Sequence, residues 1–230
     1  MTAPGPLAVV CVSGGMDSAV TAATAATAGH GLAFLHASYG QRTQRKELAC
    51  FHALADHYAA RARLVVEFPV LAAIGGSSLT DRNIPVREGE PEPDRIPTSY
   101  VPFRNAHLLS AATSWGEVLG AHAIFVGAVW EDSSGYPDCR PAFYRAFEEA
   151  IRQGTRPETA IRIETPVIGM SKAEIVRRGR ALAVPFEKTW SCYQAEDLAC
   201  GTCESCRLRL KGFAEAGLRD PLTYRLPTRG

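Results

Sequence analysis

Four cysteines crowd a short stretch near the carboxyl end of the chain. They are Cys192, Cys200, Cys203 and Cys206, and the other three cysteines lie far apart along the sequence. Four thiolates over so short a span favour a closed tetrahedral zinc site, which is structural because no coordination position stays open for water. An iron–sulfur cluster is the main alternative. A zinc ion would order residues 189–194 and Arg207 and hold them against an active site.

A glycine-rich turn near the amino end has the residue types that bind phosphate. Residues 13–18 read Ser-Gly-Gly-Met-Asp-Ser and stand between a short apolar run and a helix-like stretch. Glycines let backbone N–H groups approach an anion, and the helix dipole favours negative charge at that end. No lysine follows the turn, so it is not the phosphate loop with a GKS or GKT ending, and it does not match GxGxxG. We expect a phosphate site here; a plain tight turn with Asp17 as the helix cap is the alternative.

Polar and aromatic residues are also crowded in residues 132–140. Two aspartates, a tyrosine, a cysteine and an arginine follow a predicted strand that ends near Val129. Ligands of open α/β folds bind at this edge of the sheet, where the strands end. A carboxylate, an aromatic ring and a guanidinium could together hold a purine-like heterocycle with an anionic substituent. Cys139 alone is more typical of a small buried residue than of a nucleophile.

Alternating strand and helix patterns must bring these three groups together. Short apolar runs predict strands at residues 7–12, 32–37, 63–68, 123–129 and 161–164. Helical patterns predict helices at about residues 18–28, 47–60, 105–119, 141–153, from 171 onward and 204–216. This order favours an α/β protein with a doubly wound parallel sheet and right-handed crossovers. Prolines between Gly75 and Pro102 exclude regular structure over most of that stretch and predict a long lid or binding loop.

The composition is that of an ordinary globular chain. Its 230 residues include 25 basic and 24 acidic side chains, and the formal net charge is +1. This balance argues against a protein whose main task is to hold nucleic-acid phosphates. Neither a secretory leader nor a membrane-spanning apolar run is recognisable, which predicts a soluble cytoplasmic protein. The length predicts an α/β domain at residues 1–185, with a zinc-binding segment at residues 186–230 packed on it.

Taken in order, the motifs resemble those of the 7-cyano-7-deazaguanine synthases, which form the nitrile of a queuosine precursor. Residues 13–18 match SGGxDS, the signature of the N-type ATP pyrophosphatases to which these synthases belong. The resemblance runs from about residue 8 to residue 224. It includes Tyr39-Gly40-Gln41-Arg42, Ser78-Leu79-Thr80, Val101-Pro102-x-Arg104-Asn105, Ser134-Gly135-Tyr136-Pro137-Asp138-Cys139-Arg140, Thr165-Pro166, Lys172-Ala173-Glu174, Ser191-Cys192-Tyr193 and the four-cysteine pattern. The implied fold is a Rossmann-like sheet of ATP pyrophosphatase type with a C-terminal four-cysteine zinc segment.

The resemblance implies two rounds of one chemistry at one site. The carboxylate of 7-carboxy-7-deazaguanine would attack the α-phosphate of ATP and expel pyrophosphate, and ammonia would then displace AMP to give the amide. In the second round the amide oxygen would be adenylated, and loss of AMP would leave the nitrile. The implied cofactors are ATP, Mg²⁺ and a structural Zn²⁺. The implied partners are small molecules, with no direct nucleic acid and no membrane.

The resemblance also assigns roles to individual residues. The ATP site would comprise Cys11, Val12, Ser13, Gly14, Gly15, Met16, Asp17, Ser18 and Ala19. The catalytic residues would be Asp17, which helps to hold Mg²⁺, and Arg104, Arg140 and Lys172, which steady the substrate carboxylate or the α-phosphate. The substrate would be bound by Tyr39, Gln41, Asn105, Asp132, Tyr136 and Asp138. No covalent nucleophile is needed, so Cys139 is predicted to be dispensable.

Three alternatives stay open at this point. A tRNA-thiolating ATP pyrophosphatase shares SGGxDS but usually adds a basic RNA-binding region. A zinc-ribbon interaction module on an inactive nucleotide fold would need no intact phosphate turn. A diverged relative could stop at the amide or pass the activated acyl group to another amine, since Ser38 and Phe103 depart from the family pattern beside predicted pocket residues. A homodimer that shares the pocket between subunits is also open.

Overall fold

The computed structural model describes residues 5–89, 95–130 and 135–225. Within these ranges the chain forms one parallel five-stranded sheet with the strand order β3-β2-β1-β4-β5. The strands are β1 (Leu7–Cys11), β2 (Gly31–Ser38), β3 (Ala62–Glu67), β4 (Ala123–Val126) and β5 (Arg162–Glu164). In the centre of the sheet Val9 of β1 lies between Ala33 of β2 and Ile124 of β4.

Helices cover both faces of this sheet. They are α1 (Met16–Thr27), α2 (Gln44–His57), α3 (Pro69–Ile74), α4 (Arg104–Leu119), α5 (Pro141–Gly154), α6 (Lys172–Ala181) and α7 (Glu204–Glu215). Val10 of β1 belongs to a core cluster with α1, α2 and α6, whereas its neighbour Val9 belongs to a second cluster with α4 and α5. Successive side chains of a strand point to opposite faces, so a strand covered on both sides is apolar throughout. The predicted doubly wound α/β architecture is therefore confirmed.

Helix α3, the end of strand β4 and the bounds of α2 differ from the sequence prediction, since α2 spans Gln44–His57 and not residues 47–60. Helix α3 lies where no element is predicted, and Pro69 stands at its first helical position, where the missing N–H of proline is not needed. Strand β4 ends at Val126 and not near Val129. The next residue, Gly127, packs against the start of α1, where a Cβ atom would lie 2.8 Å from the Ser18 nitrogen.

The segment after α3 crosses the end of the sheet without regular structure, as predicted. Its described residues, 75–89 and 95–102, form no helix and only an isolated bridge from Glu88 to Cys203. Arg42 fixes the first part, because its Nε donates to the Ser78 carbonyl at 2.6 Å and its Nη2 to those of Asp81 and Ile84. The segment is thereby held over the carboxyl ends of the strands.

The last helix is tied closely to the α/β layers. Helix α7 packs on α6, and Gly212 allows this approach, because a Cβ atom there would lie 2.7 Å from the Cβ atom of Lys172. None of the helices in the described ranges has the length and apolar character needed to span a bilayer.

Candidate active site

A cavity of about 250 Å³ opens where β1, β2 and β4 end. The chain turns to opposite sides of the sheet after β1 and β4, and the crevice at such a switch point is where open α/β folds bind ligands. The glycine-rich turn at residues 13–18, called the phosphate turn below, forms one wall of the cavity. The other walls come from β2, α4 and residues 189–206, which carry the four cysteines and are called the cysteine segment below. All three sequence motifs therefore meet at one place.

The phosphate turn is held by its own hydroxyls. Ser13 Oγ donates to Ser18 Oγ at 3.2 Å, and Ser18 Oγ donates to the Gly15 carbonyl at 2.9 Å. Gly14 has φ +87°, and a Cβ atom there would lie 2.6 Å from the Glu47 carbonyl oxygen, so only glycine fits this position. Helix α1 begins two residues later, at Met16, which places its free N–H groups at the cavity.

Asp17 and Lys172 meet at the floor of the cavity. Lys172 Nζ lies 2.7 Å from Asp17 Oδ2, and a capping box between Ser171 and Glu174 fixes the start of α6 that carries the lysine. The other oxygen, Asp17 Oδ1, is buried and has no hydrogen-bond partner among the described residues. Magnesium takes oxygen ligands, so a buried carboxylate oxygen of this kind fits the predicted metal contact.

Arg104 places a fixed positive charge on the opposite side of the cavity. Its Nη1 donates to the Tyr39 hydroxyl at 3.3 Å, and its guanidinium lies 5.8 Å from the centre of the Tyr39 ring. Burial alone would lower the pKa of Arg104, but Tyr39, Tyr136 and Asp138 outweigh this effect and raise the pKa. The arginine can therefore meet an anionic group in its charged form under all ordinary conditions.

Of the predicted substrate residues Gln41, Asn105 and Asp138, only Asn105 is among the described residues that line the cavity. The backbone N–H of Asn105 donates to Asp138 Oδ2 at 2.9 Å, and its side-chain amide donates to the Asp138 carbonyl at 3.0 Å. Gln41 accepts a hydrogen bond from the Tyr39 backbone N–H at 2.8 Å and donates one to Glu47 Oε2 at 3.0 Å. Asp138 Oδ1 is buried without a partner in the described part of the chain. For Gln41, Asn105 and Asp138, direct contact with a ligand stays a prediction.

The segment after β4 is only partly brought to the cavity. Tyr136 lines the cavity, and its hydroxyl donates to Ser99 Oγ at 2.9 Å. Arg140 is exposed, lies 5.7 Å from the centre of the Trp130 ring, and is not among the described residues that line the cavity. Asp132 lies outside the described residues. The predicted roles of Arg140 and Asp132 therefore stay predictions.

Most of the predicted nucleotide residues lie in the cavity wall. The described lining includes Cys11, Val12, Ser13, Gly15, Met16, Asp17 and Ser18. Gly14 faces α2 and Ala19 is fully buried in α1, so these two support the turn from behind. Ser38 and Phe103, which depart from the family pattern, are also absent from the described lining. Phe103 instead lies in a separate groove with Phe68 and His107.

The four clustered cysteines form a preorganised ligand set. The sulfur atoms of Cys192, Cys200, Cys203 and Cys206 all lie within 4.8 Å of one another, and all four residues are buried. Tetrahedral zinc with Zn–S bonds of 2.3 Å would place its sulfurs about 3.8 Å apart, and the Cys200–Cys206 separation is 3.9 Å. Hydrogen bonds from Cys203 and Cys206, joined by two backbone N–H groups, lower the pKa of Cys192. The cluster could therefore hold a metal ion.

Short contacts connect the cysteine segment to the phosphate turn. The Trp190 N–H donates to the Gly14 carbonyl at 2.8 Å, and the Trp190 indole N–H donates to the Ala195 carbonyl at 3.0 Å. Arg209, only 1% exposed, donates to Thr189 Oγ1 at 2.7 Å and forms an ion pair with Asp220 at 2.7 Å. A metal in the cluster would thus stabilise the segment that supports the turn.

Several cavity residues have no assigned role in the sequence prediction. Glu47, Trp190 and Tyr193 all line the cavity. Tyr193 was recognisable as part of the Ser-Cys-Tyr motif, and Trp190 as part of the segment expected beside the active site. Glu47 carries no signal beyond an acidic residue in the first turn of a helix, which usually serves the helix dipole alone.

The comparison with known proteins identifies the family. The sequence profile of a family described as "Queuosine biosynthesis protein QueC" matches residues 7–217. The chain belongs to the QueC family. QueC-family relatives named 7-cyano-7-deazaguanine synthase include one from Chloroherpeton thalassium, 56% identical over 95% of this chain and 97% of the relative. Another, from Chlorobium phaeobacteroides strain DSM 266, is 58% identical over 94% of this chain and 96% of the relative. The predicted family is therefore confirmed.

The fold of this QueC chain is also found in a distant solved structure. A 4-thiouridine synthetase in complex with RNA and bound ATP aligns with a TM-score of 0.53 and 16% sequence identity. The alignment covers 93% of this chain and 51% of the synthetase. At this identity the likeness concerns the fold alone, and it confirms the expected ATP pyrophosphatase-type architecture.

Proposed function

We propose that the chain converts 7-carboxy-7-deazaguanine and ammonia to 7-cyano-7-deazaguanine, using ATP and passing through acyl-adenylate and amide intermediates. AMP and pyrophosphate would be released, which makes the chain a ligase that forms C–N bonds. The observation that carries the proposal is one cavity in which the phosphate turn, Asp17, Arg104 and Tyr136 meet, in a chain of the QueC family. The same cavity offers a site for phosphates and a site for a flat anionic heterocycle.

The phosphate turn would bind the β- and γ-phosphates of ATP. The N–H groups at the start of α1 and the hydroxyls of Ser13 and Ser18 supply the donors. Asp17 Oδ1 would hold Mg²⁺, which neutralises charge on the departing pyrophosphate when it is bound. Lys172 holds the other carboxylate oxygen and so keeps Oδ1 directed away from the ion pair. The turn and the ion pair together position the nucleotide for attack at its α-phosphate.

The opposite wall would bind the heterocycle and its carboxylate. Tyr39, Tyr136 and Tyr193 offer aromatic surface, and Arg104 offers guanidinium donors for a carboxylate. An arginine already held by Tyr39 and Asn105 loses little freedom when it binds the substrate, so it can orient the attacking oxygen. Catalysis then consists of holding two anions in line and stabilising the charge that develops between them.

The four-cysteine cluster would hold a structural zinc ion. Four sulfur ligands leave no open position for water, so the metal stabilises the fold and takes no part in the chemistry. An iron–sulfur cluster is the competing occupant and would be recognised by its visible absorbance.

Mass spectrometry of the reaction product tests the proposed function. The purified chain, incubated with 7-carboxy-7-deazaguanine, ATP, Mg²⁺ and ammonium, is expected to give the nitrile, with the amide as an earlier product. Accumulation of the amide alone would show a relative that performs only the first round. Pyrophosphate release without any product from 7-carboxy-7-deazaguanine would refute the proposed substrate.

A further inference from the structure

Glu47 is a cavity carboxylate that neither ATP binding nor heterocycle binding uses. It lies in the first turn of α2, is half-buried and lines the cavity. Thr43 Oγ1 donates to its Oε1 at 2.7 Å, and Gln41 Nε2 donates to its Oε2 at 3.0 Å. Each oxygen therefore has one protein donor and retains further accepting capacity. The two donors fix the carboxylate in one orientation at the wall.

The charges around Glu47 come from several elements. Arg104 of α4 and Tyr39 after β2 interact with it from the cavity side, Glu196 from the cysteine segment, and Cys50 from its own helix. Burial raises the pKa of Glu47 above its ordinary value, although Thr43, Gln41 and Arg104 oppose that rise. A carboxylate whose pKa is raised by burial is better suited to accept a proton than an exposed one.

The proposed reaction needs a proton acceptor. The proposed function assigns Asp17 to Mg²⁺ and Lys172, and Asp138 is not among the described residues that line the cavity. Ammonia in neutral solution is almost entirely ammonium, which has no lone pair for attack on an acyl adenylate. Arg104 is permanently charged, and Lys172 is paired with Asp17. Glu47 also lines the cavity, near the predicted substrate residue Tyr39 and the predicted catalytic residue Arg104.

We propose that Glu47 forms the ammonium subsite of this cavity and accepts the proton that frees ammonia for attack. The inference rests on the proposed function and assigns a residue to its second substrate. Electrostatic attraction between a fixed carboxylate and ammonium would hold the amine beside the acyl adenylate. The aromatic ring of Tyr39 lines the same cavity and suits a cation as a neighbour.

A proton moves from ammonium to Glu47, which gives ammonia and a neutral carboxylic acid. The nitrogen lone pair then forms the C–N bond at the acyl carbon, and the bond from that carbon to the phosphate oxygen breaks, with its electron pair leaving on AMP. The new amide nitrogen loses a second proton to solvent, and Glu47 releases the first one before the next turnover. One amide, one AMP and two protons form from one acyl adenylate and one ammonium.

The Glu47→Gln variant of the full chain separates this role from the rest of the reaction. Glutamine keeps the size of the side chain but cannot accept the proton. A burst of pyrophosphate from ATP and 7-carboxy-7-deazaguanine, measured without ammonium, reports adenylation alone. Amide formation with ammonium is then compared with hydroxamate formation with hydroxylamine, an amine that is largely unprotonated at neutral pH. Asp56→Asn, at the exposed far end of the same helix, is the matched control.

We expect Glu47→Gln to keep the pyrophosphate burst and the hydroxamate product while amide formation from ammonium falls by about a hundredfold or more. We also expect the rate of that variant to rise in proportion to free ammonia as the pH is raised. Asp56→Asn should match the parent chain in all three assays. Equal loss of amide and hydroxamate, loss of the burst, or full retention of amide formation would each overturn the role of Glu47. Absence of the burst in the parent chain would instead refute the proposed function.

Discussion

The Asp17 carboxylate has two oxygens in different surroundings, although both lie at the floor of one cavity. Lys172, which is 155 residues away in the chain, neutralises Oδ2 at 2.7 Å, while Oδ1 is buried without a partner in the described ranges. A buried acceptor without a donor is costly, so it is retained where a ligand satisfies it. This asymmetry favours a metal-binding role for Asp17 over that of a simple helix cap.

Replacement of Asp17 by asparagine tests that role. The amide keeps the shape of the side chain but removes the charge that would attract Mg²⁺ and pair with Lys172. We expect ATP-dependent pyrophosphate release to fall by about a hundredfold or more, with a higher Mg²⁺ concentration needed for half-maximal rate. A Mg²⁺ titration of the rate provides the measurement. If Asp17→Asn kept the parent rate at low Mg²⁺, the metal assignment would be wrong.

Cys139 lies in the same cavity wall, yet its surroundings do not suit a nucleophile. Burial, with the neighbouring Asp138 carboxylate, raises the pKa of its thiol to about 11, so the reactive thiolate is scarce at neutral pH. Its sulfur accepts a hydrogen bond from the Asn105 side chain at 3.4 Å, which is a packing role. Serine can keep that contact.

We therefore expect Cys139→Ser to lower the rate of pyrophosphate release by less than about tenfold, whereas loss of a covalent nucleophile costs far more. Steady-state kinetics and the melting temperature of the variant, measured together, separate an effect on the reaction from an effect on stability. A rate below one-hundredth of the parent value in a folded variant would point to covalent catalysis.

At the scale of elements, the site depends on how closely β4 approaches the start of α1. Gly127, the first residue after β4, makes this close approach possible. A Cβ atom there would lie within 3.0 Å of three backbone atoms of Asp17 and Ser18. These are main-chain atoms, so they cannot move aside without shifting the helix start and the phosphate turn with it.

Gly127→Ala is accordingly expected to weaken ATP binding by about tenfold or more, while the overall fold is kept. Gly154→Ala is the matched control, because it lies at the end of α5 with no atom within 4 Å of the added Cβ. That change should leave nucleotide affinity unaltered and can stabilise the helix slightly. Calorimetric titration with ATP distinguishes the two, and equal affinities would contradict the proposed packing constraint.

Short sequence patterns predict those parts of the molecule that are built from residues close together in the chain. The strand, turn and helix around residues 13–18 follow from apolar runs and glycines, and the cysteine cluster follows from its spacing. The position of Arg140 does not follow in this way. The short helical turn Pro137–Cys139 separates it from Tyr136, so one residue faces the cavity and the other faces Trp130. Two residues that are close in the sequence therefore need not both line the cavity.

Residues that enter the cavity from distant elements were the hardest to assign. Glu47 reaches it because α2 packs against the phosphate turn, and Tyr193 reaches it because the cysteine segment folds back over the same turn. Asn105 is the opposite case. It is predicted to bind the substrate, but its side-chain amide donates to the carbonyl of Asp138, which is 33 residues away in the chain. Such pairings depend on the crossovers of the sheet, which no short pattern contains.

Across the whole molecule, the cysteine cluster and the phosphate turn form one connected unit. Trp190 joins the segment to Gly14, and Arg209 joins helix α7 to Thr189. The Arg209–Asp220 pair is almost fully buried, and such a pair is stable only while its partners are held in place. Loss of the metal should therefore affect both stability and nucleotide binding.

Removal of the metal provides the test at this scale. The purified chain is expected to contain one zinc per molecule and no visible absorbance from iron and sulfide. Stripping the zinc with a chelator should lower the melting temperature by roughly 10 °C or more, because four buried thiols lose their common ligand. Pyrophosphate release should fall as well, because the support for Gly14 loosens. Both losses should persist when Mg²⁺ is resupplied and should be reversed by zinc. A metal-free chain with the parent melting temperature and rate would show that the cluster does not support the active site.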